Sequence, residues 1–174
     1  MDLIVTAAPR LARATARWGG ASFPCAIGRA GIAAEKREGD GATPIGAFPF
    51  RRVLYRADRL AGLRAGKLTL SAISADDGWC DAPEDGSYNR PVKLPYPARH
   101  ERLWREDSLY DAILVVGHND DPVTPGAGSA IFVHVAREDL APTEGCVALR
   151  LGDLLSLLAA ADKNCRLIVH GPRL

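Results

Sequence analysis

A histidine and a cysteine twelve residues apart are the pair best suited to chemistry. Ser129-Ala-Ile-Phe-Val-His-Val-Ala reads as a strand whose alternation puts Ile131, Val133 and Val135 on one face and Phe132 and His134 on the other. His134 therefore interrupts an otherwise apolar strand. Cys146 follows Gly145 at the head of another short apolar run, Cys146–Leu149. A glycine there permits a sharp turn that presents the thiol together with neighbouring backbone N–H groups, the donors an oxyanion needs. A thiol nucleophile needs an imidazole nearby to lower its pKa from about 8.5. Two neighbouring strands would bring the side chains within reach. The same residue types also suit a buried structural cysteine near a core histidine, and that reading stays open on residue types alone.

Other candidates surround the pair. His118, in Val115-Val-Gly-His-Asn-Asp, ends an apolar strand and is expected to point into the same cleft. Tyr88, Asn89 and Arg90 form a polar-aromatic cluster in a long polar stretch, where an Arg can clamp a carboxylate through two parallel hydrogen bonds. A zinc site from His118, His134 and Cys146 lacks a spacing signature, and no metal is expected. Asp40 and Thr43 read as turn formers, and His100 and His170 as surface residues. Cys25 and Cys165 sit in apolar runs and suit the core, whereas Cys80 looks loop-borne. If Cys146 stays free, the other three cysteines allow at most one disulfide.

Short strands must position these residues. Runs at Leu3–Thr6, Phe23–Gly28, Ala47–Tyr55, Lys67–Ile73, Ile113–Gly117, Ser129–Ala136, Cys146–Leu149 and Arg166–His170 are rich in Val, Ile, Leu and Phe and bounded by turn residues. One helix is clear over Leu151–Ala161, with Leu151, Leu154, Leu155, Leu157 and Leu158 as its apolar stripe and Asp153 in its first turn. A weaker helix is expected over Ala98–Trp104. Between Ile73 and Tyr110 runs a polar excursion of the kind that forms binding loops or lids. The 174 residues suit a single domain, 1–174, and 17 Gly with 12 Pro favour many turns and a mainly β architecture, a sandwich or barrel.

Charge narrows the partners. A formal net charge of +1 gives no reason to expect nucleic acid. No apolar run approaches the roughly 18 residues a membrane helix needs. Eighteen Arg against four Lys carries no functional reading. The acid-free stretch between Asp2 and Glu35, with Arg10, Arg13, Arg17 and Arg29, is read as a surface hairpin rather than a transit peptide. Leu3-Ile4-Val5 is too short for the core of a secretory signal.

The order of these motifs resembles the L,D-transpeptidases of the YkuD type, in which a strand His is followed by a loop and then Ser/Thr-x-Gly-Cys. The matching residues are His134, Thr143, Gly145 and Cys146. Upstream, Gly39-Asp-Gly-Ala-Thr-Pro-Ile-Gly-Ala-Phe is similar to that family's Thr-Pro-x-Gly-x-Phe turn, which by the resemblance places the loop of Asp40 and Thr43 close to the cleft; the resemblance runs from about Lys36 to the C terminus. It implies a β-sandwich of short mixed strands and a Cys146 thioester, with peptidoglycan stem peptides as substrates. His134 moves protons, the Val135 carbonyl orients its ring, and Gly145 supplies oxyanion N–H. It also implies acylation of Cys146 by carbapenems, no cofactor, and a periplasmic place inferred from the substrate; a monomer is expected. Glu144 stands where relatives often have His, and Ala148 where they often have Arg or Asn. If the chain is extended there, Glu144 shares a face with Cys146 and is expected to draw in a cationic acceptor amine. Alternatives are an L,D-carboxypeptidase or endopeptidase with water as acceptor, or a non-catalytic cell-wall binding module.

Overall fold

The structure, a computed structural model, describes residues 1–7 and 13–171. Arg10 and the side chain of Arg13, from the acid-free stretch, lie outside the described residues. The elements begin with β1 (Asp2–Ala7), β2 (Arg13–Trp18), β3 (Ala21–Ala26), β4 (Ile32–Ala33), β5 (Thr43–Pro44), β6 (Gly46–Tyr55) and β7 (Thr69–Ala72). There follow β8 (Asp77–Cys80), β9 (Pro91–Lys93), β10 (His100–Arg102), β11 (Ala112–Val116), β12 (Phe132–Val135), β13 (Val147–Leu149), α1 (Leu151–Ala160) and β14 (Arg166–His170).

Nine strands form one sheet in the order β11-β12-β13-β3-β2-β1-β14-β6-β7, and a further pairing of β11 with β6 closes it into a barrel-like ring. The mainly β expectation holds, but the pairing describes one closed sheet where a sandwich was expected. The reason lies in β6, whose ten residues pair with β14 through their first part and with both β11 and β7 through their second. No seam is left between β6 and β11 to separate two sheets. The first strand is likewise integral. It pairs with β2 in a hairpin and runs parallel to β14, with Leu3 and Val5 fully buried, so the expected surface hairpin is part of the barrel.

Strand β11, Ala-Ile-Leu-Val-Val, is buried along its whole length because both of its faces are covered. Ala112, Leu114 and Val116 face the main core with Leu3, Val53, Val133, Val147 and Leu167. Leu154, Leu157 and Leu158 of α1 join that core, each contributing about 2 kcal/mol by burial. Leu151 is exposed and Leu155 only partly buried, so the helix stripe is narrower than expected. Ile113 and Val115 point to the other face, where they meet Trp79, Leu103, Tyr110 and Phe132.

That outer face is covered by a small antiparallel sheet, β10-β8-β9. It replaces two expectations. The polar excursion after Ile73 is folded rather than a free loop, and the expected helix over Ala98–Trp104 contains β10 instead. His100–Arg102 instead pair with β8, Glu101 opposite Trp79, so backbone partners on a neighbouring strand override a weak local helical tendency. Cys80 ends β8 fully buried against Ala82 and Val92, and is not loop-borne. The Trp79 and Tyr110 rings stand edge-on to Phe132 at 5.1 and 6.2 Å and anchor the small sheet to the barrel. All four cysteines are free, with Cys25 and Cys165 in the main core.

Candidate active site

His134 and Cys146 come to one cleft because β12 and β13 are parallel neighbours, with Val133 opposite Val147 and His134 opposite Ala148. Cys146 directly precedes β13. Both side chains line a cleft of about 560 Å³ bordered by the small sheet. His134 Nδ1 lies 2.8 Å from the Val135 carbonyl oxygen. A carbonyl only accepts, so Nδ1 carries the proton and Nε2 keeps its lone pair. The Tyr110 ring stands edge-on to the imidazole at 5.3 Å.

The turn that carries Cys146 rests on two threonines. Thr143 Oγ1 donates to the Cys146 carbonyl at 2.6 Å and accepts from the Gly145 N–H at 3.1 Å. Thr43, fully buried, donates to the same carbonyl at 3.5 Å and accepts from the Gly28 N–H at 2.8 Å. Thus a residue 103 positions upstream, read from sequence as a turn former, holds the turn that carries the thiol. Gly145 has φ +143°, and a Cβ there would lie 2.9 Å from the Ala42 carbonyl oxygen, so the position admits no side chain without movement. The Cys146 thiol donates to the Ala130 carbonyl at 3.1 Å and accepts from the Phe132 N–H at 3.4 Å. Ala130 itself has φ 51°, a strained value for a residue with a Cβ, and Asn89 Oδ1 accepts its N–H at 3.1 Å.

Burial sets the protonation of the pair. It pushes the His134 imidazole down to about 4, a fall opposed by the Val135 carbonyl. It pushes the Cys146 thiol up to about 12, helped by the negative charge of Glu101. A thiol and a neutral imidazole are therefore the resting forms near pH 7. The expected lowering of the thiol pKa by His134 is not what this environment produces. Separating charge in so enclosed a place carries a desolvation penalty that outweighs the mutual attraction.

Of the residues singled out from sequence, the cleft gathers His134, Thr143, Glu144, Gly145 and Cys146. Glu144 is exposed on the rim, where Arg29 Nε holds its carboxylate at 2.8 Å. Tyr88 is buried, and its hydroxyl donates to Glu38, which Ser129 also reaches at 2.7 Å. Asn89 is buried as a hub, accepting from the Trp79 indole at 3.0 Å and donating to the carbonyls of His118 and Asn119 at 3.0 and 2.7 Å. Arg90 and His118 line a different cleft. His118 therefore does not join His134 and Cys146, and among the described residues no three His, Cys, Asp or Glu side chains form a metal-ligating group.

Among the cleft residues that escaped the sequence reading are His100 and Glu101. His100, expected on the surface, lines the same cleft as His134 and Cys146, and so does its neighbour Glu101. Glu101 accepts from the Tyr110 hydroxyl at 2.6 Å, and burial raises its pKa above the usual carboxylate range. A strand of three residues has too few positions to display an alternation, so no local signal marks them.

A family model described as the YkuD L,D-transpeptidase catalytic domain matches residues 3–169. The match begins well before Lys36 and so takes in β1 to β3, which the motif resemblance left out. No curated protein and no solved structure matches the chain.

Proposed function

The chain belongs to the YkuD family of L,D-transpeptidase catalytic domains, and on that premise we propose that it crosslinks peptidoglycan stem peptides through a thioester on Cys146. The observation that carries the proposal is a cleft lined both by His134, whose Nδ1 is fixed on the Val135 carbonyl so that Nε2 keeps its lone pair, and by the protonated Cys146 thiol.

Because both groups rest uncharged, the thiol is deprotonated during attack rather than before it. Sγ adds to the carbonyl carbon that follows an L-configured centre while His134 Nε2 takes the thiol proton. The developing oxyanion meets backbone N–H at the turn. The Gly145 N–H is held by Thr143, which leaves that of Cys146 as the first donor. Collapse of the adduct breaks the peptide C–N bond, and His134 passes its proton to the departing amine. An acceptor amine then attacks the thioester carbon, giving a proton to His134 that returns to the departing sulfur. A new peptide bond and a free thiol result. The Val135 carbonyl keeps the imidazole oriented throughout, and Tyr88 and Asn89 act through the buried network that holds Ala130. Acting on the cell wall, the protein works in the periplasm.

The test is incubation with intact muropeptides and resolution of the products by mass, beside a Cys146→Ala control. Crosslinked dimers that have lost one terminal residue, with a peptide adduct on Cys146 and neither product in the control, are expected. Release of the terminal residue without dimers would make water the acceptor. Full crosslinking by the control would end the proposal.

A further inference from the structure

A second cleft, of about 490 Å³, lies on the outer face of the barrel and shares Ile131 with the catalytic cleft. Its walls include Arg51, Arg52 and Arg90. Consecutive residues of a regular strand point to opposite faces, so Arg51 and Arg52 should not share a cleft. They do because β6 carries a bulge: Val115 pairs with Arg52 and Val116 with Phe50, which leaves Arg51 as the extra residue. Bulges of this kind re-aim a side chain. The place is also kept clear for it, since a Cβ at Gly117 would lie 2.7 Å from Arg51 Nε and 2.8 Å from its Nη2.

The charges in this cleft do not balance. Asp120 is the one carboxylate among its lining residues, and it is held by Arg51 at 2.8 and 3.1 Å. Arg90 donates to the Asp120 backbone carbonyl at 3.0 Å, and Arg52 has no carboxylate partner among the described residues. Two guanidiniums therefore stand without a counter-charge. The surrounding wall is preorganised, because Asn89 ties down the carbonyls of His118 and Asn119 beside Asp120. Trp79, Val115 and Phe132 give the cleft an apolar side.

The geometry points to a second binding site, separate from the catalytic cleft, that holds the dianionic head of a small ligand between Arg52 and Arg90 and its apolar body along Trp79 and Phe132. Planar guanidiniums suit carboxylate and phosphate oxygens alike, through paired N–H donors. A phosphate monoester and a dicarboxylate share that chemistry. The site does not require Cys146 to react, so it stands or falls apart from the proposed crosslinking.

Calorimetric titration at low salt with inorganic phosphate, phenyl phosphate and succinate tests the site. Saturable binding of at least one probe, with phenyl phosphate tighter than inorganic phosphate, is expected. Arg52→Gln and Arg90→Gln should each weaken it about tenfold or more, while Cys146→Ala and the exposed Arg150→Ala bind as the parent does. Arg52→Lys, which keeps the charge and loses the fork, should fall between, and circular dichroism checks that each variant is folded. The tighter of the phosphate and dicarboxylate arms identifies the head group. No saturable binding, or equal binding by the Arg52→Gln and Arg90→Gln variants, overturns the inference.

Discussion

Iodoacetamide should alkylate Cys146 slowly at pH 7 and speed up only as pH climbs towards the range where the buried thiol ionises. With the thiol pushed to about 12, its thiolate fraction at pH 7 is about 10⁻⁵, against about 3% for a free thiol near 8.5. The more basic thiolate is also the better nucleophile, which restores about 1.5 of those 3.5 decades. The net expectation is alkylation about 10²-fold slower than that of an unstructured cysteine peptide, rising with pH without a plateau below pH 10. His134→Gln should leave this profile in place, because an imidazole held near 4 carries no charge at pH 7 to stabilise a thiolate. The same substitution should slow single-turnover acylation by a muropeptide about 10²- to 10⁴-fold, since it removes the base that takes the proton during attack. Slow alkylation alone does not separate a catalytic thiol from a structural one; the divergence of the two readouts does. An alkylation plateau below pH 7 that disappears in His134→Gln would show a thiolate–imidazolium pair and refute the reasoning.

His134 should also mark the acid stability of the fold. Its pKa is about 4 folded and about 6.5 unfolded, so between those values the unfolded chain binds the extra proton and stability falls as pH drops, by up to about 3 kcal/mol. Urea unfolding at pH 7 and pH 4.5 should show a steeper loss in the parent than in His134→Gln, and equal losses would contradict the buried neutral imidazole. Gly145→Ala should lose acylation while remaining folded, at a cost of about 1–3 kcal/mol, because φ +143° and the Ala42 carbonyl 2.9 Å away both oppose a Cβ; a variant with parental kinetics would show that the turn is not constrained. Glu101→Gln should accelerate alkylation of Cys146 at pH 8 by up to about fivefold, since it removes a negative charge that opposes thiolate formation, and a slower reaction would reverse the assigned sign. Glu144→Gln should leave acylation and the ratio of crosslinked to hydrolysed product within about twofold, because Arg29 already engages that exposed carboxylate and such pairs are worth under about 1 kcal/mol; a large fall in the ratio would return Glu144 to the acceptor site.

His134, Gly145 and Cys146 are legible in the chain because each stands out against a local pattern, a polar ring in an apolar strand and a glycine before a thiol. The strands that carry them, and α1, are legible for the same reason, since hydrophobic period is a property of neighbours in sequence. Sequence alone therefore determines which residues are equipped for thiol chemistry and that the framework is mainly β. It does not determine partners. Strand β11 announces that it is buried, but not that it pairs with both β6 and β12 and so closes the sheet into a ring. The family resemblance brings the loop of Thr43 near the cleft, but only the fold shows its hydroxyl on the Cys146 carbonyl, and Glu101 is invisible until β10 pairs with β8. Arg51 and Arg52 look like residues of opposite faces until the register slips at a bulge. The protonation of His134 and Cys146 is the clearest case. Residue types suggest that an imidazole lowers the thiol pKa, whereas enclosure raises one and lowers the other. Desolvation depends on every element packed around a group, and that sum exists only once the chain has folded.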